Sequence, residues 1–489
     1  MMSSRFSAPV SVASIAGIAL TVSVCVAALT SGVAAQPTDL HSASRAASPQ
    51  TTPEKRVSAT GHADSARLAR VIFWMAVGLI AYTYGGYGLA IATIARLKPR
   101  AVRGTAFCPT VSIVVVAHNE SSRIADRITN LLTIDYPPDR LEIIIASDGS
   151  TDDTPEQVRQ YPDVRLREFP IRRGKPAVLN DVIPTVRGEI VALADARQSF
   201  DKRALAALVR NFADPAVGAV SGALMLRRSD QTSAAVDGAA MYWNIEKGIR
   251  WSESRFDSTI GVTGAIYALR RTAFRRLPED IILDDVLLPM RITRLGYRVV
   301  FEREAVAYDR CAGSAREEFA RKVRTIAGNF QLLARERWLM SPFQNRLWIQ
   351  TISHKVLRLV LPVFYVAMFG ANLMLLRDPF FQVTAAGISA FSMVGALSWF
   401  APGPAANWRL LKLPAAFWLM TWATIVGFFR FATEQQRVTW DNAEPERMPA
   451  PDSVHRLATH AASDRSLHTD MTGRTPSAAR IRSSTHSAR

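Results

Sequence analysis

Three short apolar runs, each followed by polar or acidic residues, most constrain the fold of this 489-residue chain. The runs are 111–116, 141–147 and 189–194, and the polar residues that follow them are Asn119, Glu120, Asp148 and Asp195. Short runs of β-branched residues bounded by turn residues predict buried parallel strands. Ligands bind beyond the carboxyl ends of strands in an open parallel sheet, so these side chains are expected to converge on one site.

The predicted site is rich in carboxylates, because Asp284 and Asp285 add a fourth acidic signal further along the chain. Hard oxygen ligands suit Mg²⁺ or Mn²⁺, and such an ion normally bridges the phosphates of a bound nucleotide. A basic turn, 172–175, also opens a predicted helix. Such turns are often merely solvated, but a glycine beside a lysine at a helix start also suits a diphosphate. These features predict a nucleotide-dependent transferase.

Residues 105–342 are predicted to form one α/β domain with a mainly parallel sheet, because strands alternate with helices. Apolar residues recur at helical spacing after the first strand, in 121–132, and after the third, in 204–212.

The segment 71–97 is predicted to cross a membrane, since residues 71–95 carry no charge and are long enough to span it. Positive residues follow at once, at Arg96, Lys98, Arg100 and Arg103. Positive flanks are retained in the cytosol, so the domain is expected on the cytosolic face of the inner membrane of the cell, where nucleotide-activated donors are made.

The remaining segments flank this core on both sides. Residues 1–35 are predicted to be a signal peptide or a first transmembrane helix, and 36–70 a flexible linker. Residues 343–432 are predicted to contain an interfacial helix around Trp348, His354 and Lys355, followed by about three transmembrane helices. The basic tail, 433–489, is predicted to be disordered.

The formal net charge of +17 allows nucleic acid, anionic membrane lipids or phosphorylated substrates as partners. Membrane lipids and phosphorylated substrates are favoured, since no nucleic-acid-binding signature occurs and no nucleic-acid partner is expected. The three cysteines, Cys25, Cys108 and Cys311, are too scattered for a metal cluster or a disulfide framework.

The order of motifs resembles that of membrane-bound inverting glycosyltransferases of family 2, the group of cellulose, chitin, hyaluronan and poly-N-acetylglucosamine synthases. The resemblance covers about residues 110–440 and rests on these segments: Asn119-Glu120, 148–154, 174–180, 195–197, 263–271, Asp284-Asp285 and 321–325. It implies a GT-A (Rossmann-like) fold, a nucleotide-sugar donor, usually a UDP-sugar, and a glycan or lipid-linked acceptor.

The resemblance also implies roles for single residues. Asp148 would hydrogen-bond the base, with Asn119 and Glu120 lining the nucleoside end of the pocket. Lys175 would meet the diphosphate, and Asp195 would bind Mg or Mn. Asp285 would be the general base, with Asp284 beside it as the second catalytic residue.

Two departures from the family pattern leave alternatives open. Arg197 stands where a second metal carboxylate is expected, and its planar donor fork could instead meet the phosphates. Of the motif Gln-x-x-Arg-Trp of processive synthases, only Arg324 is kept. Processive synthesis and transfer of one or a few sugars both remain open. The alternative function is a non-catalytic nucleotide-binding subunit of a polysaccharide secretion complex, and partner proteins of secretion are expected in either case.

Overall fold

The computed structural model describes residues 53–103, 107–227, 234–310, 315–397 and 409–436, together with Thr439. The signal peptide or membrane helix predicted at 1–35, the first part of the linker and nearly all of the basic tail lie outside the described residues.

The described residues contain eight strands and a larger number of helices. The strands are β1 (Val111–Ala117), β2 (Leu141–Asp148), β3 (Val164–Phe169), β4 (Ile190–Asp195), β5 (Ser199–Phe200), β6 (Val217–Arg227), β7 (Ile266–Arg270) and β8 (Arg298–Arg310). The α-helices are α1 (Pro53–Ala81), α2 (Tyr87–Leu97), α3 (Ile124–Leu132), α4 (Thr154–Arg159), α5 (Lys175–Val182), α6 (Ala204–Val209), α7 (Ala234–Phe256), α8 (Asp284–Arg294), α9 (Ala315–Arg335), α10 (Trp348–Gln350), α11 (Leu357–Met374), α12 (Pro379–Leu397) and α13 (Arg409–Ala432). Two π-helical turns, Tyr82–Gly86 and Thr351–Val356, join α1 to α2 and α10 to α11.

All eight strands form one mixed sheet in the order β3-β2-β1-β4-β7-β6-β8-β5. Strand β1 pairs in parallel with β2 and β4, β2 with β3, and β6 with β8; the pairs β4–β7, β6–β7 and β5–β8 are antiparallel. Four of the seven pairings are therefore parallel, which confirms the prediction of a mainly parallel sheet. The first, second and fourth strands end side by side, as the motif positions required.

The sheet is buried on both faces, which explains why its first strands are continuous apolar runs. On β1, Ile113 and Val115 pack into one hydrophobic cluster, whereas Val114 packs into the other. Helices α3 and α6 cover the first face, and α5 and α8 cover the second. The functional elements α5 and α8 thus share one layer and approach the strand ends from the same side.

Within the described residues, four helical segments are long and apolar enough to cross a membrane: Asp64–Leu97, Trp348–Met374, Pro379–Leu397 and Leu413–Ala432. One precedes the α/β domain and three follow it. A helix runs from Pro53 through the predicted span, so the linker prediction is wrong for residues 53–70. This segment forms a helix for two reasons. A proline occupies the first helical position, where no N–H is needed, and alanines pack against neighbouring helices.

The prediction of a separate interfacial helix is also wrong. Residues 348–374 form one continuous helical segment, and His354 near its start is only 1% exposed. The ring packs against α7 of the α/β domain. Cationic and aromatic residues at a membrane boundary fit both arrangements, so composition does not distinguish them.

Candidate active site

The turns that follow β1 and β2 are joined to each other by side-chain hydrogen bonds. Asn119 adopts a left-handed backbone conformation (φ 53°), and its Oδ1 accepts a hydrogen bond from the Thr151 backbone N–H at 2.8 Å. The Glu120 N–H donates to Thr154 Oγ1 at 2.8 Å. Asn119 and Glu120 therefore lie beside the turn that begins at Asp148, as expected for residues at one end of a pocket.

Asp148 holds the basic turn in place. Its two carboxylate oxygens accept hydrogen bonds from the backbone N–H groups of Arg173 and Gly174, each at 2.7 Å, and the residue is 3% exposed. Gly149 allows this approach, because a Cβ there would lie 2.3 Å from the Arg172 nitrogen. The sequence did not predict this positioning function for Asp148, which places Lys175 at the start of α5.

Lys175 and Asp195 form an ion pair at the centre of the site. Lys175 Nζ donates to Asp195 Oδ1 at 2.7 Å, and the side chains are 24% and 43% exposed. Burial alone would lower the pKa of the Lys175 ammonium, but the carboxylates of Asp195, Asp284 and Asp285 together raise that pKa above its ordinary value. Lys175 is therefore firmly cationic.

Asp285 lies in the first turn of α8, against Gly264. A Cβ on that glycine would be 3.3 Å from Asp285 Oδ2, and the Asp285 carbonyl accepts a hydrogen bond from the Val262 N–H at 2.9 Å. Burial, and then the neighbouring Asp284, raise the pKa of the Asp285 carboxyl to about 6, against the opposing charges of Lys355, Lys175 and Arg250. A carboxylate of this kind is ionised at neutral pH and has an increased proton affinity.

Arg324 and Tyr267 both interact electrostatically with the carboxylates of Asp195, Asp284 and Asp285. Burial lowers the pKa of the Arg324 guanidinium, while Asp284, Asp285 and Asp195 oppose that shift. The Tyr267 hydroxyl is buried with no hydrogen-bond partner among the described residues, and burial followed by the same carboxylates raises its pKa. The site thus collects Asp195, Asp284, Asp285, Lys175 and Arg324, while Asp148, Asn119 and Glu120 lie at the adjoining strand ends.

Arg197 is paired elsewhere. Its Nη2 donates to Asp309 Oδ2 at 2.7 Å, and the Gln198 side-chain amide donates to the same oxygen at 3.0 Å. Asp309, at the end of β8, is buried and needs this compensation. The Arg197 guanidinium has one N–H group, at Nε, that is buried without a hydrogen-bond partner among the described residues.

Sequence reasoning missed four residues in and around this site. Tyr267 lies inside the segment 263–271, which was noted without a role for the tyrosine. Arg250 and Lys355, whose charges act on Asp285, come from α7 and from the start of the second candidate span. Asp309 was missed as well, and no neighbouring motif could have indicated it.

The residues present fit a divalent cation only in part. Asp195 offers the hard carboxylate oxygens that Mg²⁺ and Mn²⁺ prefer. The part of the chain that the structure describes contains no group of three or more His, Cys, Asp or Glu side chains arranged to hold a metal. A cation at Asp195 would therefore need most of its ligands from the phosphates of the donor and from water.

Part of the amino-acid sequence is similar to those of known glycosyltransferases. The family model "Glycosyl transferase family 2" matches residues 112–277. The chain is 24% identical over 235 residues to a poly-β-1,6-N-acetyl-D-glucosamine synthase of Staphylococcus epidermidis, covering 47% of this chain and 56% of that protein. It is 33% identical over 201 residues to a β-monoglucosyldiacylglycerol synthase of Synechocystis sp., covering 38% and 40%. The chain thus spans about half the length of the curated relatives it matches.

One solved structure shares the fold over most of the chain. The mannosyltransferase PcManGT from Pyrobaculum calidifontis, in complex with GDP-Man and Mn²⁺, matches with a TM-score of 0.58 and 23% identity. The match covers 74% of this chain and 99% of that one. This similarity confirms the predicted GT-A fold. The family match shows that residues 112–277 belong to a family 2 glycosyltransferase domain.

Proposed function

We propose that this family 2 glycosyltransferase transfers a sugar, with inversion, from a nucleoside-diphosphate sugar to a hydroxyl of a glycan or lipid-linked acceptor at a membrane. The observation that carries the proposal is the gathering of Asp195, Asp285 and Lys175 at one edge of the sheet. The three residues come from β4, α8 and α5, and each acts electrostatically on another. The donor is a UDP-sugar in this proposal.

Donor binding uses the adjoining strand ends. The nucleoside lies against the turns of Asn119, Glu120 and Asp148, which are already joined by hydrogen bonds. The diphosphate replaces Asp195 as the ionic partner of Lys175, because two negative phosphate groups attract an ammonium more strongly than one carboxylate does. Arg324 adds a second positive charge on the same side of the carboxylates.

The chemical step needs one base and a stabilised leaving group. The acceptor hydroxyl gives its proton to the Asp285 carboxylate, and its oxygen forms a bond to C1 of the sugar. The bond between C1 and the diphosphate oxygen breaks on the opposite face, and the electron pair leaves with the nucleoside diphosphate. A positioned base of this kind contributes about 10²- to 10⁴-fold in rate. Asp284 stays beside Asp285 and keeps its proton affinity high.

A divalent cation fits this scheme as a partner of the donor. Asp195 would hold Mg²⁺ or Mn²⁺ jointly with the phosphates, and the bound ion would supply charge stabilisation to the departing diphosphate. Arg197 then stabilises Asp309 and the end of β8, and phosphate binding by Arg197 would require that ion pair to open.

The membrane side of the proposal rests on the four apolar helices and on the basic residues after the first of them. These favour a multi-pass protein of the inner membrane with its catalytic domain in the cytosol. Synthesis of a polysaccharide or glycolipid follows from that arrangement, and the similarity to relatives named for both products supports it. Partner proteins would then carry the product across the envelope.

The test is turnover by membranes that contain the full-length protein. A panel of UDP- and GDP-sugars with Mn²⁺ is supplied, the release of nucleoside diphosphate is measured, and products are identified by mass spectrometry. Asp285→Asn is expected to abolish transfer while nucleotide binding persists, because the base makes no ground-state contact with the nucleotide. Glu142→Gln, at the opposite end of β2, is the control and should retain turnover.

Two results would contradict the proposal. Retained transfer by the Asp285→Asn variant would remove Asp285 from the mechanism. Nucleotide binding by the wild-type protein without any turnover on the whole panel would instead support a non-catalytic subunit of a secretion complex.

A further inference from the structure

A buried histidine joins the second candidate membrane span to the catalytic domain. His354 Nδ1 lies 2.8 Å from Glu253 Oε1, and its Nε2 lies 2.9 Å from Glu246 Oε2. The three residues are 1%, 0% and 5% exposed. Glu246 and Glu253 are seven positions apart on α7, so both face the same side of that helix.

His354 bridges the two glutamates through both of its ring nitrogens. Glu246 also accepts hydrogen bonds from Arg250 Nε at 3.2 Å and Arg358 Nη1 at 2.8 Å. Glu253 Oε1 also accepts a hydrogen bond from the Tyr87 hydroxyl at 2.6 Å.

The backbone around His354 departs from regular α-helix geometry. Residues Thr351–Val356 form a π-helical turn at the start of the span. Such turns are rare and occur often at functional sites, because they change the direction in which side chains leave the helix. Tyr87, the other residue that contacts Glu253, comes from the span that precedes the domain. The network therefore contacts both flanking membrane segments.

A continuous chain of contacts leads from this network to the carboxylate of Asp285. Glu246 fixes the Arg250 guanidinium, and Arg250 Nη1 donates to Thr263 Oγ1 at 3.3 Å. The Thr263 N–H donates to Ser221 Oγ at 2.9 Å, which anchors the loop on β6. Gly264, the next residue, lies against Asp285 Oδ2, and Val262 binds the Asp285 carbonyl.

We propose that His354, acting through Glu246 and Arg250, is a positioning residue that holds the loop 262–264 against Asp285 and so couples the membrane helix to the transfer step. The inference rests on the proposed function, in which Asp285 is the base. A helix that shifts in the membrane would move His354, and the loop would follow.

The test compares full-length variants in membranes. His354→Gln keeps one hydrogen bond but cannot bridge both glutamates, and Thr263→Val removes the link to Arg250 without touching the histidine. Each is expected to lower kcat by roughly tenfold to a hundredfold, because a displacement of about 1 Å at a reacting group costs on that order. The KM for the donor should change little, since the nucleoside turns lie elsewhere. The double variant should lose no more than the worse single variant.

A pH profile separates positioning from simple loss of stability. The charged groups that act on Asp285 are Asp284 on α8, Lys175 on α5, Arg250 on α7, Arg324 on α9 and Lys355 at the start of the span. These variants weaken only the contacts that hold Arg250. Because the charge of Arg250 lowers the pKa of Asp285, its displacement should raise that pKa and move the acid limb of kcat/KM to higher pH. Glu142→Gln removes a half-buried carboxylate remote from the site and should leave the limb unchanged.

Each outcome decides the matter. A wild-type kcat and acid limb in His354→Gln, or losses that multiply in the double variant, would overturn the coupling. If His354→Gln does not accumulate in membranes, Thr263→Val alone decides, because it leaves the histidine contacts intact. If Asp285→Asn loses turnover while His354→Gln and Thr263→Val keep the wild-type kcat, the coupling is contradicted and the proposed function is not. Turnover by Asp285→Asn would instead contradict the assignment of Asp285 as the base.

Discussion

Lys175 and Asp195 lie 2.7 Å apart, nitrogen to oxygen, although they come from the first turn of α5 and the last residue of β4. Each residue is implied by the family resemblance to face the diphosphate side of the donor. Their mutual contact keeps a partly buried cation and a carboxylate compensated when no donor is bound. Donor binding then exchanges one ionic contact for another, which limits the cost of leaving either charge alone.

Lys175→Met is expected to weaken nucleoside-diphosphate binding by roughly tenfold to a hundredfold, because a hydrogen bond to a charged group contributes about 1.5–3 kcal/mol. Calorimetric titration with UDP on the purified protein measures the change. Lys202→Met, an exposed residue before α6, serves as the control for lost positive charge. Equal affinity in wild type and Lys175→Met would exclude a phosphate contact at this lysine.

The pH dependence of kcat/KM should have an acid limb near pH 6. Burial and Asp284 raise the pKa of the Asp285 carboxyl to about 6, and only its ionised form can accept a proton. Below that pH the rate should fall about tenfold per pH unit, since kcat/KM reports the ionisation of the free enzyme. A profile that is flat down to pH 4.5 would contradict this assignment.

The raised pKa of Asp285 also predicts that the folded protein is less stable when this carboxyl is ionised. The folded chain holds the Asp285 proton more tightly than the unfolded chain, whose carboxyl has the ordinary value of 3.8. The stabilisation from that proton is complete below the unfolded pKa and is lost as pH rises through about 6. Asp285→Asn should therefore be more resistant to heat than wild type at pH 7.5, and the difference should vanish near pH 4. Thermal unfolding in detergent at both pH values measures it.

The sequence predicted the parts of the site that depend on local rules. Strand periodicity and turn residues placed Asp148 and Asp195 at strand ends, and parallel pairing brought those ends together. The helix start at Lys175 followed from the preceding glycine, whose φ is 93° in the structure. These signals are local, so they persist whatever packs around them.

The remaining contacts depend on packing between distant segments. His354 meets Glu253 and Glu246 across 101 and 108 residues, and Arg197 meets Asp309 across 112. No local pattern indicates such partners, and composition even suggested a lipid-facing location for His354. The length of α1 was missed for a related reason, since tertiary contacts of Ala66 and Ala69 stabilise a segment that looks like a linker in isolation.

Gly264→Ala should lower kcat by about tenfold and leave nucleotide affinity unchanged. The new Cβ would lie 3.3 Å from Asp285 Oδ2, so the carboxylate must shift by a few tenths of an ångström. Gly261→Ala is the matched control, because its Cβ would meet a Val286 methyl group at an ordinary 3.4 Å. Equal rates in the two variants would show that the position of the Asp285 oxygen is not critical.

Metal binding is expected to depend on the nucleotide. Asp195 is a single carboxylate already bonded to Lys175, and no cluster of three protein ligands occurs among the residues that the structure describes. Mn²⁺ alone must compete with the Lys175 ammonium and gains few ligands, whereas Mn²⁺ with UDP gains phosphate oxygens and frees the carboxylate from the lysine. Electron paramagnetic resonance of Mn²⁺ should therefore show little bound ion without UDP and tight binding with it. Asp195→Ala should lose the nucleotide-dependent binding, while Asp201→Ala, a carboxylate after β5, should keep it. Strong Mn²⁺ binding in the absence of nucleotide would show that protein groups beyond Asp195 complete the site.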